Sequence, residues 1–321
     1  MADCTDTILA LPKGSKVLVA GAGGGWDIVA GLPVAIALRQ AGHDVHLANY
    51  CVGMVDDAQG AERPLEQLYR IDETCQDPKD NRSFPEGSLS RWWQQAFNES
   101  RPVWCFARKG GRPVAEAYQY LAEHLQLDAV CLVDGGVDGL FIGDEHDCST
   151  PSMDAISIVA ANTLTSCKRF FTITAFGTEG AAYSVRHADV LYRISEQIYK
   201  GGMLGVSATL SSTHVGKQFL KAVETINEDF PNLWHSIIVS SIVSAMKGHF
   251  GERNLTPRTD WAPVWVSPLT LLCWYFDLKS VAEAKPNRDE VLQTETVAEV
   301  VEIFEETRKR LGKRARTDIP I

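Results

Sequence analysis

The feature that most constrains the fold is an apolar stretch that runs into glycines and then into a helical pattern. Lys16–Ala20 is predicted to form a short buried strand, which Gly21–Asp27, GAGGGWD, follows directly. A helical pattern then covers Ile28–Ala41 and ends at Gly42, and Asp44–Tyr50 is predicted to form a second strand. Two strands joined through a helix in this way are parallel, with a right-handed crossover. The chain is therefore predicted to be an α/β protein.

The rest of the chain extends the same pattern. Further strands are predicted at Val103–Ala107, Ala129–Val133 and Arg169–Thr174. Residues 52–100 form an irregular excursion, Gly201–Gly205 is interpreted as a turn, and the part from about residue 214 is predicted to be mainly helical. With no internal repeat or low-complexity linker, we expect a single domain over residues 1–321. Its fold class is a doubly wound, mostly parallel sheet with helices on both faces.

The composition restricts the class of protein and its partners. A formal net charge of −10 argues against a general nucleic-acid surface, which needs clustered Lys and Arg. The apolar fraction of 45% and the charged fraction of 22% are ordinary for a globular enzyme. The chain shows no secretory signal pattern, and no stretch approaches about 18 uncharged apolar residues. We therefore expect a cytoplasmic protein without nucleic-acid or membrane partners.

The glycine-rich loop resembles a dinucleotide-binding fingerprint only in part. Gly21 and Gly23 have the required spacing, but Trp26 stands where a small residue should pack the helix against the strand. An NAD-dependent oxidoreductase is therefore disfavoured. The loop is instead predicted to bind an anionic group through the amides of Gly23, Gly24 and Gly25, with Asp27 facing the ligand. The alternative is a tight turn in which Asp27 only caps the helix.

The main candidate for an active site is Cys131–Asp154, CLVDGGVDGLFIGDEHDCSTPSMD, which contains six carboxylates and no Lys or Arg. Ligands of α/β proteins bind where parallel strands end, and this stretch begins as a buried strand. Converging carboxylates repel one another, which raises pKa values or requires a divalent cation such as Mg²⁺. A solvated acidic loop is the alternative. The predicted catalytic residues are Asp134, Asp138, Glu145 and His146; the predicted metal ligands are Asp134, Asp138 and Glu145; and Gly135, Gly136 and Thr150 are predicted to contact the ligand.

Cysteine and histidine patterns do not predict further chemistry. The eight cysteines include no CxxC pair, and the histidines show no HxxxH or HExxH spacing, so a dedicated zinc site is not expected. Most cysteines are interpreted as small buried apolar residues in a reducing compartment. A nucleophilic Cys148 is disfavoured because the neighbouring acids raise the pKa of a thiol.

Four segments together resemble the family known as domain of unknown function 1152. They are GAGGGWDIVAGLPVAIALRQAGHDVHLAN, VDGGVDGLFIGDEHDCSTPSMDAIS, the GGMLG motif at Gly201–Gly205, and VWVSPLTLLCWYFDL at Val264–Leu278. The resemblance covers roughly Lys16–Leu311 and implies a Rossmann-like α/β protein, without a settled reaction. The positions in this chain that match the family pattern are Gly23, Gly24, Asp27, Asp134, Gly135, Gly136, Asp138, Gly143, Glu145, Thr150, Pro151 and Asp154.

The leading hypothesis is an enzyme that acts on a small polar or phosphorylated metabolite by hydrolysis or related acid–base chemistry. It requires the strands before Asp27 and Asp134 to be neighbours, so that both loops line one crevice. One alternative is a nucleotide or metabolite sensor that binds a ligand without turnover, and another is a structural subunit with an inert crevice. A homo-oligomer is expected only because twofold assemblies are common.

Overall fold

The computed structural model describes residues 5–79, 84–147, 151–179, 185–231, 235–260 and 263–319. The strands are β1 (Lys16–Gly21), β2 (Asp44–Tyr50), β3 (Glu62–Leu65), β4 (Leu68–Ile71), β5 (Val103–Phe106), β6 (Ala129–Asp134), β7 (Lys168–Ile173), β8 (Met203–Ala208), β9 (Gly251–Arg253), β10 (Val264–Val266) and β11 (Leu272–Asp277). The helices are α1 (Thr5–Leu9), α2 (Asp27–Ala30), α3 (Leu32–Ala41), α4 (Glu86–Phe97), α5 (Gly111–His124), α6 (Pro151–Asn162), α7 (His187–Tyr199), α8 (His214–Glu228), α9 (Ile237–Met246), α10 (Leu278–Ala284), α11 (Arg288–Leu292) and α12 (Val297–Leu311).

A nine-stranded sheet in the order β3-β4-β5-β2-β1-β6-β7-β11-β8 forms the centre of the protein. Its middle five strands, β5-β2-β1-β6-β7, are parallel, and antiparallel strands flank them on both sides. Along the chain, the five parallel strands follow one another as β1, β2, β5, β6 and β7. Across the sheet, the third of them comes first, followed by the second, the first, the fourth and the fifth. The order reverses between β1 and β6, which pair directly. This is the doubly wound arrangement that the sequence predicted.

Helices cover both faces of the sheet because alternate strand residues point to opposite faces. Val17 and Val19 of β1 pack with α3, α4, α8 and α9, whereas Leu18 and Ala20 pack with α5, α6, α7 and α12. Both apolar layers are almost free of solvent contact. Full burial of each large aliphatic side chain contributes on the order of 1.5–3 kcal/mol, so the sheet is held firmly from both sides.

Three details differ from the sequence prediction. The predicted helix Ile28–Ala41 is two helices that meet at Gly31, because Pro33 has no N–H and fits only a first turn. Only the first two residues of the predicted turn Gly201–Gly205 precede β8, because the strand begins at Met203 and pairs with β11. The excursion contains β3, β4 and α4.

Other predicted details are confirmed. Gly42 ends α3 in the left-handed conformation, with φ of 94°. Asp44–Tyr50, His187–Tyr199 and Val264–Val266 have the predicted bounds, although Val264–Val266 belongs to a separate two-stranded sheet with β9. None of the helices in the described ranges is long and apolar enough to cross a membrane.

Candidate functional site

The glycine loop and the acidic stretch lie side by side where β1 and β6 end. Gly21 pairs with Val133, and the Ala22 amide donates a hydrogen bond of 2.9 Å to the Val133 carbonyl. Asp134 is the last residue of β6, and Asp27 is the first residue of α2. The two carboxylates therefore share the crevice at the point where the strand order reverses. Doubly wound proteins bind their ligands at this place.

The glycine loop binds the carboxylate of Asp27. The amides of Gly23 and Gly24 donate to Asp27 Oδ2 over 2.6 and 3.0 Å. Gly24 and Gly25 have φ values of 100° and 62°, a conformation that favours glycine and directs consecutive amides to one side. The protein's own carboxylate therefore takes the position at Gly23 and Gly24 that was predicted for an anionic group of the ligand, which disfavours that prediction for these two amides.

Asp134 and Asp154 bring two further carboxylates to the crevice. Each residue is only 3% exposed. Asp134 Oδ2 accepts a hydrogen bond of 2.8 Å from the Gly139 amide, whereas Asp154 Oδ1, in the first turn of α6, has no hydrogen-bond partner. One oxygen from each of Asp27, Asp134 and Asp154 lies within 4.8 Å of the other two. These three carboxylates meet closely enough to bind one ion.

Asp138 and Glu179 complete what we call the acidic cluster: Asp27, Asp134, Asp138, Asp154 and Glu179. Asp138 is buried and begins a 3₁₀ turn, Asp138–Leu140. Glu179 follows β7, and its Oε2 accepts a hydrogen bond of 2.8 Å from the Val137 amide. Asp138 lies close enough to Glu179 for its charge to add to the effect of burial in raising the pKa of Glu179.

The predicted glycines Gly135 and Gly136 lie against this cluster. A Cβ atom on Gly135 would lie 2.5 Å from Asp27 Oδ1, and one on Gly136 would lie 2.5 Å from Glu179 Oε1. A larger residue at either position would displace a carboxylate. The two glycines therefore make room for acids of the protein itself, a role that the sequence did not predict.

Burial and mutual repulsion raise the pKa values in the acidic cluster. Loss of hydration raises the pKa of Asp27 to about 7, with a further contribution from Asp138. Burial, followed by the charges of neighbouring cluster members, also raises the pKa values of Asp134, Asp154 and Glu179 well above their usual range. At neutral pH the cluster must therefore retain protons or bind a cation.

Lys285, a buried lysine on which the charges of Asp154 and Asp138 act, is bound to backbone carbonyls. Lys285 Nζ donates to the carbonyls of Gly139 and Phe141 over 2.6 and 2.5 Å. Burial lowers the pKa of this lysine to about 8. Lys285 thus fixes the turn that follows Asp134. Within the described ranges, no Lys, Arg or His forms an ion pair with Asp27, Asp134, Asp154 or Glu179.

Two predicted catalytic residues have other partners. Glu145 is fully buried, and its Oε1 accepts from Arg193 Nε over 2.6 Å and from the Ile142 amide over 3.0 Å. His146 lies beside Asp189, to which its backbone amide donates over 3.3 Å. The prediction of Glu145 as a metal ligand is not supported, because Arg193 already neutralises it. Thr150 lies outside the described residues.

Sequence reasoning did not select Asp154 or Glu179 as site residues. Asp154 enters the sequence analysis only as the last residue of Cys131–Asp154 and as a position that matches the family pattern. Glu179 follows the predicted strand Arg169–Thr174 and precedes a glycine. The rule that selected Asp134, an acid beside glycine after a parallel strand, would also have found Glu179.

Comparison with known proteins identifies the family and does not give an activity. The family described as "Protein of unknown function (DUF1152)" matches residues 18–309 of the 321-residue chain. The chain therefore belongs to this family, as the four sequence segments indicated. No curated protein and no solved structure matches the chain.

Proposed function

We propose that this member of the DUF1152 family is a divalent-cation-dependent enzyme that hydrolyses a small polar or phosphorylated metabolite. The observation that carries the proposal is the convergence of Asp27, Asp134 and Asp154 at the crevice between β1 and β6. Buried carboxylates are stable together only when protons or a cation compensate their charge. A position where the strand order reverses is also where a doubly wound sheet offers space to a ligand.

The three carboxylates suit a hard cation such as Mg²⁺. Mg²⁺ binds oxygen at about 2.0–2.1 Å, so that opposite ligand atoms lie roughly 4.2 Å apart. The oxygens of Asp27, Asp134 and Asp154 lie within 4.8 Å of one another, and a small inward movement would bring them to that geometry. Asp154 Oδ1 is buried without a hydrogen-bond donor, as expected for an atom whose partner is an ion. Asp138 is adjacent, whereas Glu145 is excluded by its pairing with Arg193.

The remaining acids supply proton transfer. Glu179 is half-buried, so it is more accessible to a ligand than Asp134 or Asp154. Its raised pKa favours the protonated form at neutral pH, in which it can donate a proton to the oxygen of a leaving group. Burial is the main cause of this raised pKa, and the neighbouring charges of Asp138 and Asp134 add to it. A bound divalent cation would supply Lewis-acid activation of water or of a phosphoryl oxygen.

The ligand class follows from the charges that line the crevice. The amides of Gly23 and Gly24 are occupied by Asp27, so they are not available for an anionic substrate. A cation at Asp27, Asp134 and Asp154 would attract such a substrate instead. The glycine loop and Glu179 form the more exposed side of the cluster, and we propose that a small molecule enters there.

A cytoplasmic location is part of the proposal, since the thiols of Cys51, Cys105 and Cys131 form no disulfide.

Cation binding is tested by thermal and chemical unfolding with Mg²⁺, Mn²⁺ or Ca²⁺ after treatment with a chelator. The wild type should gain about 2.7 kcal/mol of unfolding free energy when the ion is present at a hundred times its Kd. Asp134→Asn should lose most of this gain. Asp128→Asn is the matched control, because Asp128 lies before the other end of β6 and is exposed. An equal response of both variants would contradict the site.

Turnover is tested with a panel of phosphate esters and nucleotides by measuring phosphate release. Asp134→Asn and Glu179→Gln should both reduce hydrolysis, but only Asp134→Asn should weaken cation binding. If the cation and a metabolite bind while no substrate is turned over, the sensor alternative replaces the enzyme hypothesis. If no ion and no metabolite stabilises the wild type, the proposal loses its basis.

A further inference from the structure

A second buried group of potential metal ligands lies beside β2 and β5. Cys51 follows β2, Cys105 belongs to β5, and Glu86 is the first residue of α4. All three side chains have no exposed surface. One ligand atom from each, two sulfurs and a carboxylate oxygen, lies within 4.8 Å of the others. From this arrangement we propose that Cys51, Cys105 and Glu86 bind a Zn²⁺ ion.

The donor atoms match this ion. Zn²⁺ binds thiolate at about 2.3 Å and carboxylate at about 2.0–2.2 Å, which places two tetrahedral ligand atoms roughly 3.5 Å apart. Cys51 Sγ donates a hydrogen bond of 2.8 Å to Glu86 Oε1. Replacing that proton by an ion requires the two atoms to separate by only about 0.7 Å. Two sulfur ligands favour Zn²⁺ over Mg²⁺ or Ca²⁺, which prefer oxygen ligands.

A second observation points to a missing partner. Glu86 Oε2 is buried and has no hydrogen-bond partner. Glu86 Oε1, by contrast, accepts a hydrogen bond of 2.7 Å from Asn49 Nδ2. A fully buried carboxylate oxygen without a donor is costly, and a bound ion removes that cost. The amide of Asn49 would hold the ligand in place from outside, as carboxylate ligands of metals usually require.

Burial also affects how the three side chains hold protons when no ion is bound. Burial raises the pKa of the Cys51 thiol well above its usual value and raises that of Cys105 to about 11. Burial also raises the pKa of Glu86 to about 7. The ion-free group therefore holds protons at neutral pH, and Zn²⁺ binding would release them.

The site is separate from the acidic cluster, and the inference does not depend on the proposed function. Asn49 connects the two, because its Nδ2 also donates to the Gly25 carbonyl over 2.9 Å. Zinc at Cys51, Cys105 and Glu86 would thus fix β2, β5 and the start of α4, and would hold one end of the glycine loop. The ligands come from three distant parts of the chain, which is why no spacing motif predicted them.

The test begins with protein purified without chelator, whose zinc content is measured by plasma mass spectrometry. We expect about one zinc per chain. Cobalt-substituted wild type should show thiolate-to-cobalt charge-transfer absorption, and zinc X-ray absorption should require two sulfur scatterers. Cys51→Ser and Cys105→Ser should each lose the cobalt band. Cys131→Ser, a matched buried cysteine on β6, and Asp134→Asn in the acidic cluster should both retain it.

The wild-type measurements keep the test decisive even if the cysteine variants fail to fold. The inference is overturned if wild type refolded with Zn²⁺ or Co²⁺ binds no ion through sulfur. It is also overturned if mass spectrometry finds Cys51 and Cys105 joined in a disulfide, or if Cys131→Ser abolishes the band as well. Failure of Mg²⁺ binding at Asp134 would leave the zinc result unchanged, so the two proposals fail separately.

Discussion

Without a divalent cation, Asp27 should make the protein less stable as the pH rises from 5 to 8. Its pKa is raised from 3.8 to about 7 in the folded protein. Between these two values the folded state retains a proton that the unfolded chain has lost, so the unfolding free energy falls with pH. The interval from pH 5 to pH 7 spans two units at 1.36 kcal/mol each, which gives a loss of about 3 kcal/mol from this group.

Asp27→Asn removes this contribution, and it also takes away the Asp27 charge that helps to raise the pKa values of Asp134 and Asp154. Glu86 adds a loss of the same sign, since its pKa is also raised to about 7. Half-buried His46 and His187 act in the opposite direction, because partial burial lowers their pKa values and their protonation in the unfolded chain favours unfolding at low pH. Glu86, His46 and His187 are all present in the Asp27→Asn variant. The difference in unfolding free energy between wild type and Asp27→Asn should therefore shift by about 3 kcal/mol, against the wild type, from pH 5 to pH 8.

The assay is urea denaturation at several pH values in chelator, with unfolding free energies obtained by linear extrapolation. Excess Mg²⁺ at pH 8 should restore the stability of wild type and should affect Asp27→Asn much less. A wild-type-to-variant difference that stays constant with pH would refute the argument that Asp27 is a strained buried acid. A Mg²⁺ effect of equal size in both proteins would refute its role as a ligand.

Three further substitutions test single contacts. Gly23→Ala would place a Cβ atom 2.5 and 2.6 Å from the two carboxylate oxygens of Asp154 and would displace them. Calorimetry should therefore detect weaker Mg²⁺ binding, although the substitution removes no charge. An unchanged Mg²⁺ affinity would contradict this close packing. Lys285→Met leaves the carbonyls of Gly139 and Phe141 without their donor and should cost about 2–5 kcal/mol in urea denaturation, whereas the exposed Lys279→Met should cost almost nothing. Arg193→Met leaves Glu145 buried with only backbone donors and should cost about 3–5 kcal/mol, part of which Glu145→Gln should recover in the double variant.

The sequence was sufficient to predict the parallel strands and the acids at their ends. Periodic apolar residues and glycines at strand ends identified β1, β2 and β6, and Asp27 and Asp134 follow from those ends. These two acids meet only because β1 and β6 are neighbours in the sheet. The sequence of either segment alone does not indicate which strands pair. The prediction named that condition, and the strand pairing meets it.

Other parts of the site depend on contacts between distant residues. Glu145 and Glu179 look alike in the sequence, since each lies close to glycines after an apolar run. They differ because Arg193, on α7, binds Glu145. In the same way, β8 is a strand because β11 lies beside it, although its sequence lacks clear alternation. A pattern within one segment cannot indicate which partner a later segment supplies.

The outer strand β3 has a consequence for how copies of this chain can associate. It lies at one end of the nine-stranded sheet and carries Glu62, Arg63 and Pro64, all exposed. Proline has no N–H to offer to an added strand, and charged side chains disfavour close pairing with another edge. A second copy therefore cannot readily extend the sheet across β3, which protects this edge of the sheet against edge-to-edge aggregation. If this protein forms a homo-oligomer, its contact surface should be sought elsewhere.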